Sequence, residues 1–270
     1  MRFLPFSTLL LLLIALPVRT GIASSEQKEL IKMANGFDFP VGPPDAEDYY
    51  KSRGFRPNGH LGEDWNGLAG GDTDLGDPVY ATAHGVVVFA RDARLGWGNV
   101  VILRHCYEEN AGERQIKVID SLYGHLDEIT VREGQSVRRG QQIGTIGNNR
   151  GMYSAHLHFE IRKNIQIGLR RSSFGRDFSN YFDPTNFIVK HRKLNVPKSK
   201  YYVQIDTFDD DRKFFNPNKG LGKFASWKEQ KGSFFLKKDE KTGEGAEGEK
   251  DKKKKKKGTF FQSSPDEYFY

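Results

Sequence analysis

His156-Leu157-His158-Phe159-Glu160 is the stretch that decides the reading of this chain. It lies in the apolar run Leu157 to Ile161, which reads as a β-strand. Side chains at i and i+2 of a strand share one face. His156 and His158 therefore project together, while Leu157 and Phe159 turn toward a core. Two imidazoles on one face of a strand can supply one metal ligand and one neighbouring catalytic group.

Outward from this stretch the same texture recurs. Val79 to Ala83, Gly85 to Ala90, Val100 to Leu103, Gln115 to Ile119 and Gln142 to Ile146 are short, rich in β-branched or aromatic residues, and punctuated by Gly, Pro, Asp and Asn. That pattern predicts an all-β fold with tight turns rather than alternating helices and strands. The 29 glycines and the hydrophobic content of 37% fit a turn-rich globular domain. The only cysteine, Cys106, follows an apolar run and reads as a packing residue. No intramolecular disulfide can form, which excludes the small disulfide-stapled class.

Two further pieces carry chemistry. His60-Leu61-Gly62-Glu63-Asp64 is read as a glycine-containing loop able to bring His60 and Asp64 to one point, and Tyr123-Gly124-His125-Leu126 adds another histidine. Two imidazoles and one carboxylate suit a catalytic zinc site, because they leave a fourth tetrahedral position open for water. A cation there lowers the pKa of that water to about 7. His125 and a second, non-ligand histidine can carry protons and steady an oxyanion.

The three pieces, in this order, resemble the lysostaphin-type (LytM-like) zinc metallo-endopeptidases. His60 and Asp64 match that family's His-x-x-x-Asp, His125 its central histidine, and His156 and His158 its His-x-His. The resemblance implies that His60, Asp64 and His158 bind one zinc and that His125 and His156 are catalytic. It implies a small antiparallel β-sheet with the metal at the base of a groove. The implied reaction is hydrolysis of peptide bonds in bacterial peptidoglycan, in a stem peptide or a cross-link. Gly76-Asp77-Pro78-Val79-Tyr80-Ala81, Gly134 to Gln141 and Asp183-Pro184 also resemble family segments. Trp65-Asn66, the loop Asn148 to Ala155 and the 163–182 insert depart from it, and these positions bear on substrate preference.

The alternative is a non-catalytic wall-binding or hydrolase-activating module on the same fold. Missing ligands would mark that class, and none is missing. A lipoyl- or biotin-carrier-like reading of Val131 to Gly147 needs a lysine on a tight turn, and no such tip is present. His84 and His105 read as packing or turn residues, and His191 as a surface residue beyond the domain.

Residues 1–23 read as a signal peptide cleaved after Ala23, with Arg2, the apolar run Leu9 to Val18 and the small residues Gly21 to Ala23; the alternative is an uncleaved anchor with Arg19 at its outer edge. An extracytoplasmic location follows, periplasmic or secreted. Residues 24–36 read as a polar leader, 37–189 as the peptidase domain, 190–236 as an extension with no clear period, and 237–270 as a low-complexity charged tail. The formal charge of +7 owes much to that tail, with its run Lys252 to Lys257. Such a segment cannot bury a core. It could tether the protein to anionic wall or membrane polymers; no nucleic-acid partner is expected.

Overall fold

The strand that carries His158, β10 (Leu157–Arg162), lies between β3 (Glu63–Gly67) and β7 (Gln115–Leu126), antiparallel to both. It belongs to an antiparallel sheet ordered β2 (Tyr49–Arg53), β3, β10, β7, β6 (Asn99–Glu109), β5 (Gly85–Asp92), β8 (Ser136–Val137), with β11 (Tyr181–Phe182) also paired to β10. β4 (Pro78–Tyr80) and β9 (Gln142–Thr145) form a second antiparallel pair. This computed structural model describes residues 27–109, 115–194 and 199–208. The signal peptide expected over 1–23 and the tail expected over 237–270 lie outside the described residues.

Alternation along the strands builds the core. Leu157, Phe159 and Ile161 on one face of β10 pack with Val101, Leu103, Tyr123, Ile146 and Phe187 in the main cluster. The long β6–β7 pair runs from Asn99↔Leu126 to Glu109↔Gln115 and forms the backbone of the sheet. Cys106 is fully buried within β6, in a side cluster with Ile31, Met33, Val86 and Val203.

The fold is mostly β, as the apolar runs indicate, with one short helix, α1 (Pro184–Lys190). Asp183 caps it, its Oδ1 accepting the Asn186 N–H at 2.9 Å, and Pro184 takes the first turn, where no N–H is needed. Among the described residues no helix is long and apolar enough to cross a membrane.

Three expectations are corrected. Residues 28–32 are no mere leader: they form β1 (Lys28–Lys32), paired antiparallel with β12 (Lys200–Gln204) from the extension. Ile31 and Val203 anchor this ribbon on β5 and β6. His191 is 4% exposed rather than on the surface. Its Nδ1–H donates to Phe187 O at 2.8 Å, and its ring packs against Phe37, Tyr107 and Phe187. Asp64 stands on β3, not in a loop, so its position is set by sheet register.

Candidate metal centre

Register places two of the site residues directly. His158 on β10 lies opposite Asp64 on β3 and, on its other side, opposite Gly124 on β7. Directly opposed residues in an antiparallel pair have Cβ atoms about 5 Å apart, so the imidazole and carboxylate meet without strain. His60 comes from the segment just before β3. Gly62 lets it fold back, because a Cβ at Gly62 would collide with the Phe159 carbonyl and lie 2.8 Å from Glu160 Cγ.

The result is a buried cluster of three donor atoms. His60 Nε2 is 3.0 Å from Asp64 Oδ1, His158 Nδ1 is 2.8 Å from the same oxygen, and the two nitrogens are 3.1 Å apart. The far nitrogens fix the tautomers. His60 Nδ1–H donates to Gly54 O at 3.1 Å, and His158 Nε2–H donates to Glu160 Oε1 at 2.9 Å. Both inward nitrogens then carry lone pairs, and they face a carboxylate oxygen. Three acceptors pointed at one spot repel each other unless a cation lies between them. Donors around a tetrahedral centre with bonds of about 2.0–2.1 Å sit about 3.3–3.4 Å apart, so a bound ion needs these atoms to part by only a few tenths of an ångström. The residues therefore fit a metal ion.

Without a cation, a proton takes its place on an inward nitrogen, and the contacts to Asp64 become hydrogen bonds. Burial alone would raise the Asp64 carboxyl, but hydrogen bonds from His158 and His60 carry it well below the usual carboxylate range. Burial would lower His158, yet its bonds to Asp64 and Glu160 push it up to about 9. The spot draws positive charge.

The other two histidines stand beside this cluster. His156 Nδ1–H donates to Ser154 O at 2.8 Å, and its Nε2 lies 4.0 Å from Asp64 Oδ1. His125, near the end of β7, has a left-handed backbone at φ +62°. Non-glycine residues there cost energy, and such strain gathers at functional sites. Its Nδ1–H donates to Trp97 O at 3.2 Å, and its ring centroid is 4.9 Å from that of His156 and 5.7 Å from that of His158. Gly124 lies against Trp97 and His158, where a Cβ would make ordinary contact at 3.4 and 3.5 Å. All five residues singled out in the sequence thus share one locality.

Sequence reasoning missed the support behind His158. Glu160 and Arg162 occupy the same face of β10 at i+2 and i+4, and both are buried. Arg162 Nε donates to Glu160 Oε2 at 2.6 Å, and Arg171 Nη2 bonds Glu160 Oε1. Burial would raise Glu160, but the charges of Arg162 and Arg171 hold it well below the usual range. The i, i+2, i+4 spacing is a readable signal for Glu160 and Arg162. Trp97, between two glycines, reads in the sequence as part of a turn, yet its ring stands 5.8 Å edge-on to His158.

Comparison with known proteins gives the chain a family. The profile of Peptidase family M23 matches residues 60–167. Lipoprotein NlpD of Yersinia enterocolitica is 41% identical over 87 residues, which are 32% of this chain and 78% of that protein. Murein hydrolase activator NlpD of Escherichia coli K12 shows the same 41% over 87 residues, 32% of this chain, but these are only 20% of its length. The solved structure of the antimicrobial peptidase lysostaphin from Staphylococcus simulans is 31% identical, covering 53% of this chain and 50% of that one, with a TM-score of 0.38. His60, Asp64, His125, His156 and His158 all fall inside the matched span, and most of the Yersinia protein aligns with this chain: this chain belongs to peptidase family M23.

Proposed function

We propose that this protein is a zinc-dependent endopeptidase that hydrolyses peptide bonds in peptidoglycan, acting outside the cytoplasm in the periplasm or as a secreted protein. The observation that carries this reading is the convergence of His60 Nε2, Asp64 Oδ1 and His158 Nδ1, none more than 3.1 Å from another. These three would hold one zinc. When bound, the ion polarises a carbonyl and makes water acidic enough to react at neutral pH.

The protein's own groups do the rest. Ser154 O holds the Nδ1–H of His156, so Nε2 is the atom that takes and returns a proton beside Asp64. Trp97 O holds the Nδ1–H of His125. Once protonated at Nε2, His125 can donate to the oxygen that gains negative charge as the carbonyl becomes tetrahedral. On the opposite face of the sheet, Leu157, Phe159 and Tyr123 anchor the strands that carry these histidines in the core.

A second reading is a wall-binding or hydrolase-activating module. The name of the Escherichia coli relative favours it; the complete donor set favours catalysis. The deciding experiment incubates the full chain with purified peptidoglycan, alone and with an added wall hydrolase, beside metal analysis. Peptide release by the chain alone, lost in Asp64→Ala, supports the peptidase. Release only with the second hydrolase, unaffected by Asp64→Ala, would replace it with the activator. In either reading the Lys-rich run 252–257 could add attraction to anionic wall or membrane polymers, lost at high salt.

A further inference from the structure

Glu160 is wholly buried and yet has three polar partners, two of them charged arginines. His158 Nε2–H and Arg171 Nη2 share its Oε1, while Arg162 Nε takes Oε2. Arg162 lies two residues along the same strand and is itself tied to Gly168 O. Arg171 comes from elsewhere, a short 3-10 turn (Arg171–Ser173) in the 163–182 insert. Its guanidinium stacks on Trp97 at 4.1 Å from the ring centroid. The same Nη2 lies 2.9 Å from His158 Nε2, so Arg171 touches both members of the His158–Glu160 pair.

The two arginines are not redundant. The last torsion of a glutamate is soft and roughly two-fold. Arg162 at Oε2 alone leaves the carboxylate free to turn about that contact. Arg171 at Oε1 fixes its plane, and with it the direction in which Oε1 receives the imidazole N–H. A carboxylate behind a ligating imidazole sets its tautomer and orientation and raises its basicity. Stacking on Trp97 while bonding Glu160 needs a planar guanidinium, which lysine does not have.

We infer that Arg171 is a positioning residue for the metal ligand His158: through Glu160 it holds the imidazole with Nδ1 turned to His60 and Asp64, so the 163–182 insert sets how tightly the site holds its cation. The inference rests on the zinc reading above. It gives the insert a task, because docking of the 171–173 turn on Trp97 and retention of the metal become one event.

The test measures zinc affinity of the full chain by competition with a chromophoric chelator, starting from metal-free protein. Wild type, Arg171→Ala, Arg171→Lys, Glu160→Gln and the double variants are compared, with the melting temperature of each metal-free protein. Arg171→Ala weakens zinc by about 10–100-fold at an unchanged apoprotein melting temperature, and Arg171→Lys restores only part of the loss. In the Glu160→Gln background either substitution changes affinity less than about twofold, because partners in one relay do not add. If Arg171→Ala does not fold, Arg171→Lys carries the comparison in both backgrounds. Zinc bound by wild type and equally by the Arg171 variants overturns the inference alone. Equal losses with and without Glu160→Gln also overturn it. A wild type that binds no zinc sinks the zinc reading itself.

Discussion

Asp64 and His158 are cross-strand partners, and Oδ1 of one lies 2.8 Å from Nδ1 of the other. Their meeting is a property of the β3–β10 register, and a slip of one residue would send one of them to the opposite face. The centre is therefore as rigid as the sheet. His60, outside a strand, is the member of the cluster whose placement depends on a local device, the glycine at 62.

That dependence is testable. Gly62→Ala adds a methyl group where the Phe159 carbonyl and Glu160 Cγ already stand. Backbone cannot yield as a flexible side chain can, so the substitution costs about 1–3 kcal/mol. We expect a lower melting temperature and weaker metal retention together. Wild-type values for both would show that the His60 segment has room to shift.

The proposed ligands and the proposed catalytic histidines should separate by metal content. If the proposed function holds, full-length wild type should retain about one zinc, lose activity to a strong chelator and recover it with zinc. His158→Ala and Asp64→Ala each remove one of three donors and lose the metal with the activity. Metal analysis after gel filtration reads this directly, and full activity in metal-free protein would end the mechanism.

On the same reading, His125→Ala and His156→Ala are expected to keep near-stoichiometric zinc and to lower peptide release by roughly 10²–10⁴-fold each. The double variant is no worse than about the poorer single one, because the two groups serve one transition state. If His156→Ala loses zinc while His158→Ala keeps it, the assignment is reversed.

The pH dependence of stability has a source away from the metal. His105 is fully buried, with Nδ1 2.9 Å from His84 O and Nε2 2.7 Å from Ser121 Oγ. Burial pushes its pKa down from 6.5 to about 4. Between those values the unfolded chain binds a proton that the folded one refuses, so stability is full above about pH 6.5 and falls as pH drops toward 4. The loss is of order 3 kcal/mol at most. Urea melts at pH 7 and pH 4.5 should show a smaller acid loss in His105→Gln than in wild type; equal losses would place the sensitivity elsewhere.

What the sequence disclosed and what it hid differ by range. The strands around His158 are legible because alternation is local, while the grouping of His60, Asp64, His125 and His156 is legible only through the resemblance of three short motifs to a known family. β1 is not. Its Lys-Glu-Leu-Ile-Lys has one deeply buried side chain, Ile31, and becomes a strand by pairing with residues 200–204 far along the chain. His191 reads as exposed because its cage of Phe37, Tyr107 and Phe187 is gathered from three separate segments. Arg171 sits in an insert with no period, and only the folded chain brings it to Trp97.

The β1–β12 ribbon makes the described body nearly a ring. Gln27 N–H donates to Asp206, 179 positions away, and Ile205 N–H donates to Gln27 O at 2.9 Å. A short linker could join these points, and the chain could be reopened at Gly70-Gly71, where an added methyl group would meet nothing within 4 Å. Every strand pairing would survive such a circular permutation, and the same closeness of entry and exit would let the body be spliced into a surface loop of another protein without forcing that loop apart.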